Sequence, residues 1–233
     1  MPAPRRRYAG FGPRFFALNL ACCLLSAGSP ATAAEPASPT SWRARVVAAV
    51  PEEALSRHQR GELAGALAEI DRVLAQPADE PAARYFRATV LARMGRLEEA
   101  AKDLQAVIAR EPTWPDPEIA LGDLHLREGA YAAALAHFRR ARELDPENGV
   151  AYFLSWLCLA LEGRAEEAEA LRKGAQQSRR NPAFYFIHAA RAFQQGEHEQ
   201  GRYLLAAGRR LYADQDLSSY LLPFAVLGWA EVE

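Results

Sequence analysis

Cysteine is scarce in this sequence, with three in 233 residues. Two of them, Cys22 and Cys23, sit in a short apolar run near the N-terminus, and Cys158 has no downstream partner for an intramolecular disulfide. Metal-ligand spacing is missing too. The five histidines, His58, His125, His137, His188 and His198, form no HxxxH or HExxH pattern on one helix, so no metal and no cofactor is expected. There is no basic excess: 28 Lys and Arg stand against 29 Asp and Glu, which argues against nucleic acid as a partner. The apolar run from Phe15 to Gly28 is about fourteen residues, short of the roughly twenty that span a bilayer.

The N-terminus has its own pattern. Arg5, Arg6, Arg7 and Arg14 precede or open the apolar run, and the small residues Ala31, Thr32 and Ala33 follow it. This is the layout of a cleavable secretory signal over residues 1–33, with a linker at 34–46. A chain cut before Ala34 keeps 24 Lys and Arg and 29 Asp and Glu, a net of −5. Arg5-Arg6-Arg7-Tyr8 is faintly similar to a twin-arginine signal, and a plain basic leader accounts for it equally. Leu20-Ala21-Cys22-Cys23 fits a lipid-attachment sequence poorly, because Cys22 occupies the last small-residue place. The expectation is export to the periplasm. Secretion or an outer-membrane lipoprotein is the alternative, and membrane attachment is expected only with a lipid on Cys23.

Internal repetition dominates the rest of the chain. Gly61, Gly95, Gly129, Gly163 and Gly196 recur every 33 or 34 residues, and each is followed five residues later by Ala66, Ala100, Ala134, Ala168 or Gly201. Pro77, Pro112, Pro146 and Pro182 close most units. The spacing predicts helix, turn, helix, stop. Glycine accepts the left-handed backbone that ends a helix, and proline cannot continue one. In the unit at 115–148, Gly122 and Ala134 lack bulk where two helices would cross, so Phe138 can fill the space beside them.

The run Leu121-Gly122, Gly129, Tyr131, Ala134, Phe138, Ala141 and Pro146 resembles the tetratricopeptide-repeat (TPR) family, as does Tyr85, Ala88, Leu91, Gly95, Ala100, Leu104 and Pro112. Elsewhere the likeness loosens: Trp156 stands where the family prefers Gly, and Arg172 where it prefers Phe. Pro51 predicts a short first helix in the first unit. The resemblance implies an all-α, right-handed superhelical solenoid of about five units at 47–80, 81–114, 115–148, 149–181 and 182–216, an array over 47–216, with a C-terminal capping segment at 217–233. It also implies that the first helices line a concave groove holding a peptide or helix. The family's groove positions fall on Tyr85, Thr89, Ile119, Asp123, Leu126, Arg127, Val150, Phe153, Leu157, Leu161, Phe186 and Phe193. Arg127 alone resembles the Lys, Arg and Asn clamp with which chaperone-binding members hold a terminal carboxylate.

Two segments are unusually apolar. Residues 150–161 read VAYFLSWLCLAL, with Ser155 as the one clearly polar residue, so this helix is either enclosed by its neighbours or a binding surface offered by Phe153 and Leu157. Residues 218–229 contain Tyr220, Leu221, Leu222, Phe224, Val226, Leu227 and Trp229. That surface needs cover: as a cap kinked at Pro223 on the fifth unit, inside the protein's own groove, or in a homodimer contact. Cys158 reads as a small buried hydrophobe, Glu98-Glu99 and Glu166-Glu167 as helix-opening acids, and Arg172, Lys173, Arg179 and Arg180 as a solvated face. The function expected is a bacterial envelope adaptor or scaffold for a protein or peptide partner, with no enzymatic activity. The alternative is a lipid-tethered assembly factor recruiting cell-wall or outer-membrane machinery. Ser41-Trp42-Arg43 is similar to a stretch found after the signal in some repeat lipoproteins that recruit cell-wall hydrolases.

Overall fold

The computed structural model describes residues 42–76, 80–177, 181–215 and 217–230. The signal segment with Cys22 and Cys23, together with Ser41, Pro77, Arg179 and Arg180, lies outside them. The described residues form twelve helices and no strand: α1 (Trp42–Ala49), α2 (Glu52–Gln59), α3 (Leu63–Leu74), α4 (Pro81–Arg93), α5 (Leu97–Arg110), α6 (Pro115–Arg127), α7 (Tyr131–Leu144), α8 (Gly149–Glu162), α9 (Ala165–Gln177), α10 (Ala183–Gln194), α11 (His198–Leu211) and α12 (Ser218–Val226). This is the all-α solenoid class that the repeats imply.

The repeated turn is built the same way each time. Gly129 takes φ +74°, and the other four repeat glycines lie between +75° and +81°. A Cβ at any of the five would meet nothing within 4 Å, so it is the left-handed backbone, and not a lack of space, that calls for glycine. The Gly129 N–H donates to the Leu126 carbonyl at 3.1 Å, and the Ala130 N–H reaches back to His125 O at 2.9 Å. That pair of bonds satisfies two carbonyls that the end of α6 would otherwise leave open. Ala130 then turns the chain into α7 with φ −83° and ψ 61°, and Glu62, Arg96 and Glu197 do the same at their own turns. Within the third pair, a Cβ on Gly122 would come 2.6 Å from the Phe138 ring, so the glycine admits the ring at the helix crossing.

The described residues divide into two compact units, up to Ala120 and from Leu121, with the division inside α6. In the first, α4 packs against α3, α5 and α1. Arg87 on α4 donates to both Asp103 oxygens at 2.7 Å and to Asp71 Oδ1 at 3.1 Å, tying α5 and α3 to the same helix. Pro51 caps the eight-residue α2. Helix also begins earlier than expected, inside the segment read as a linker. α1 buries Val46, with Val50 buried just past its end, and Arg45 pairs with Glu111 at 2.9 Å while lying over the Trp114 ring at 5.6 Å. The apolar residues of α1 are spread around the helix with no stripe to betray it.

In the second unit, α8 is enclosed by α7, α9, α10 and α12. The Ser155 hydroxyl is buried and donates to Ala151 O at 2.7 Å, which satisfies it inside the apolar helix. Bulk has changed sides in this pair: Trp156 on α8 is buried, and Arg172 on α9 is held aside by two bonds to Glu169.

His58 is fully buried on α2, with its ring against Phe86 at 5.3 Å and neither ring nitrogen hydrogen-bonded among the described residues. Burial, and then the Arg93 guanidinium, lower its pKa to about 4. The unfolded chain therefore takes up a proton near pH 6.5 that the folded chain refuses. Stability is full above that pH and falls as pH drops toward 4, by about 3 kcal/mol in total. Urea titrations of the wild type between pH 7 and 4 are expected to show this loss, and His58→Leu to show little of it; equal pH slopes in the two proteins would contradict the assignment.

Candidate protein-binding groove

The first helix of each pair carries the groove positions, and the structure distributes them unequally. In the first unit, Tyr85 and Thr89 on α4 are buried. Tyr85 lies 4.8 Å from Trp114, the ring beneath Arg45, with the two ring planes tilted by 47°, and the Thr89 hydroxyl donates to Phe86 O at 2.7 Å. With α1 packed on α4, neither residue is open to a partner. Ile119 on α6 is half-buried.

In the second unit, Leu126 is buried, and Asp123 pairs with Arg127 one turn along α6, Nε to Oδ2 at 2.8 Å. The one residue similar to a carboxylate clamp thus has its charge met within its own helix. Val150 and Leu161 on α8 are half-buried. Phe153, Leu157, Phe186 and Phe193 are buried.

What buries the aromatic members is α12. Of the covers open to the C-terminal segment, the structure uses the protein's own first-helix face: α12 lies against α8 and α10. Phe224 stacks on Phe153 with centroids 6.1 Å apart and rings nearly parallel, and sits 6.2 Å from Phe186 and 5.9 Å from Phe193. Tyr220 stacks on Phe186 at 4.7 Å and lies 5.7 Å from Phe153. Trp229 closes the cluster against Phe193 at 6.3 Å. Pro223 stands inside α12. Of the apolar residues that raised a homodimer contact, Tyr220 and Phe224 are buried in the same chain, and Leu221, Leu222 and Leu227 are half-buried.

Three residues that sequence reasoning left out shape this seat. Gly149 opens α8, and a Cβ there would collide with the Tyr220 hydroxyl and the Asn181 side chain. Asn181 is fixed by donating to Glu147 O at 3.1 Å and accepting from Ala183 N–H at 2.9 Å. Gly228, at φ +67°, ends α12 with the repeat turn's own bonding, Trp229 N–H to Phe224 O at 2.8 Å. Its place 32 residues after Gly196 was a readable signal.

Other chemistry is sparse. His125 and His137 stack at 5.4 Å, and among the described residues no group of three or more His, Cys, Asp or Glu could hold a metal. Burial pushes the Cys158 thiol up to about 12, with Glu162 and Asp123 adding to the effect, so it carries no thiolate at neutral pH. Among the described residues no helix is long and apolar enough to cross a membrane.

The fold is that of a protein-interaction scaffold built from helix pairs. Tetratricopeptide-repeat profiles match residues 52–116 and 125–190, and the chain belongs to the tetratricopeptide-repeat family. A TPR repeat-containing thioredoxin, TTL4 of Arabidopsis thaliana, is 36% identical over 80 residues, which are 34% of this chain and 12% of that protein. The chain thus spans a small part of that relative's length. Among solved structures, TTC0263, a thermophilic TPR protein of Thermus thermophilus, aligns with TM-score 0.57 and 19% identity over 80% of this chain and 99% of its own. MamA aligns with TM-score 0.55 and 14% identity over 71% and 99%. At these identities the likeness is one of fold.

Because Phe153 is fully buried against Phe186 of α10 and Tyr220 and Phe224 of α12, Phe153→Ala is expected to cost about 3–5 kcal/mol. A chemical-denaturation midpoint shift of that size checks it; a change within about 0.5 kcal/mol, as at an exposed position, would show that α12 is not seated there.

Proposed function

We propose that this protein is an exported bacterial adaptor that holds a helix or peptide of a partner protein on the first-helix face of its repeats, in the periplasm, and that it is not an enzyme. The observation carrying this is the ring surface of α8 and α10, formed by Phe153, Phe186 and Phe193, which already receives a short apolar helix. A surface that seats one helix has the shape and chemistry to seat another. The family supports protein binding in general. The reading of an exported protein rests on the Arg-rich start, the apolar run and Ala31-Thr32-Ala33.

Two measurements test it. A photo-crosslinking residue at Ile119 or Val150, both half-buried groove positions, is expected to trap a defined protein in cells, while one at the exposed Glu98 of α5 traps none. Equal yields at all three positions, or none, would sink the adaptor reading. Mass spectrometry of the mature protein is expected to find an N-terminus at Ala34 or Glu35. A lipid-modified Cys23 would instead favour the tethered assembly factor, and an intact Met1 would remove export altogether.

A further inference from the structure

The feature that the adaptor reading does not absorb is that its best binding surface is filled. Leu217, at the N-terminal cap of α12, and Tyr220 and Phe224 within it are buried, residues spaced i, i+3 and i+7, which is one stripe of a helix. Tyr220 and Phe224 meet rings on both α8 and α10. The seat also has room for a hydroxyl. Gly149 leaves room at the start of α8 where the Tyr220 oxygen lies beside Asn181, and any larger residue would close that room.

The occupant, by contrast, is poorly equipped to be a permanent part of the fold. α12 has nine residues, fewer than the dozen or so that sustain a helix in water. Pro223 inside it removes a backbone donor. It owes its helical state to the seat, so leaving the seat and unfolding are one step. The helices α8 and α10 each pack against other repeat helices on several sides, and those contacts remain when α12 leaves.

We infer that α12 is an intramolecular stand-in for the partner, and that the groove's ligand is a short apolar helix with Leu, Tyr and Phe at i, i+3 and i+7, which displaces α12 and places its tyrosine hydroxyl in the Gly149 recess. This rests on the adaptor reading and names its partner's chemistry. A tethered competitor acts at an effective concentration of about millimolar, so the resting chain rejects weak or mismatched helices and admits those that reproduce the α12 stripe. Binding and release of the C-terminal segment are thereby coupled: each ligand captured frees Tyr220, Phe224 and Trp229.

The test uses the full chain. In hydrogen exchange of the wild-type protein, α12 amides are expected to exchange at least about tenfold faster than the buried amides of α8 and α10, because α12 opens by itself; equal protection overturns the proposal and requires no variant. In fluorescence anisotropy, a labelled peptide of residues 217–230 is expected to bind the Tyr220→Ala, Phe224→Ala chain at least about tenfold more tightly than wild type, since the competitor in cis is weakened. Replacing Tyr by Phe in the peptide, or adding Gly149→Ala to the chain, is expected to reverse much of that gain. If the variant keeps its helical circular dichroism and binds the peptide no better, the proposal falls. Dimerisation of the variant in place of peptide binding would assign the groove to a second copy and also overturn it. The two readings fail separately: peptide capture without cellular crosslinks at Ile119 or Val150 removes the adaptor and leaves α12 only a displaceable occupant of the groove, whereas crosslinks with a locked α12 keep the adaptor and remove the stand-in.

Discussion

The structure depends on one backbone constraint, the left-handed glycine between paired helices. At Gly129 and its four counterparts, φ between +74° and +81° and the two N–H bonds that close the turn stop one helix and aim the next with the same geometry. Each first helix therefore presents the same register positions to its surroundings. Everything that distinguishes one pair from another is decorated on that constant turn: Arg87 bridging Asp71 and Asp103 in the second pair, Gly122 admitting Phe138 in the third, and Trp156 carrying the bulk on α8 in the fourth.

A constant register has a cost where the exposed stripe is aromatic. Phe153, Phe186 and Phe193 left in water would forfeit burial worth about 1.5–3 kcal/mol each, and the chain recovers it with Tyr220, Phe224 and Trp229. The N-terminal unit treats its own first helix in a comparable way, laying α1 on α4 and closing Tyr85 and Thr89. In each unit the family's binding stripe is used by the chain itself. Ile119 in the first unit, and Asp123, Arg127, Val150 and Leu161 in the second, are half-buried.

What could be read from sequence follows from the range of the forces involved. Glycine spacing reports a local backbone requirement, so the turns, the helix pairs and the contact of Gly122 with Phe138 were legible. The repeat register places Tyr85, Thr89, Phe153, Leu157, Phe186 and Phe193 on first helices, as the structure has them, but their burial was not legible. Phe153 and Phe224 stand 71 residues apart, and no periodicity announces that they stack. α1 has no apolar stripe, so neither its helicity nor its cover of α4 shows in the sequence. Nothing in the sequence marks Gly149, because its role comes from Asn181 and Tyr220, which stand 32 and 71 residues further along the chain.

Closure of the aromatic face depends on the contact between α12 and α8 in the free protein. Aromatic nuclear Overhauser effects in the full chain test it most directly. Cross-peaks from Phe224 to both Phe153 and Phe193, whose centroids are 6.1 Å and 5.9 Å away, are the predicted result. Their absence, with Phe224 ring protons at solvent-like shifts, would contradict it.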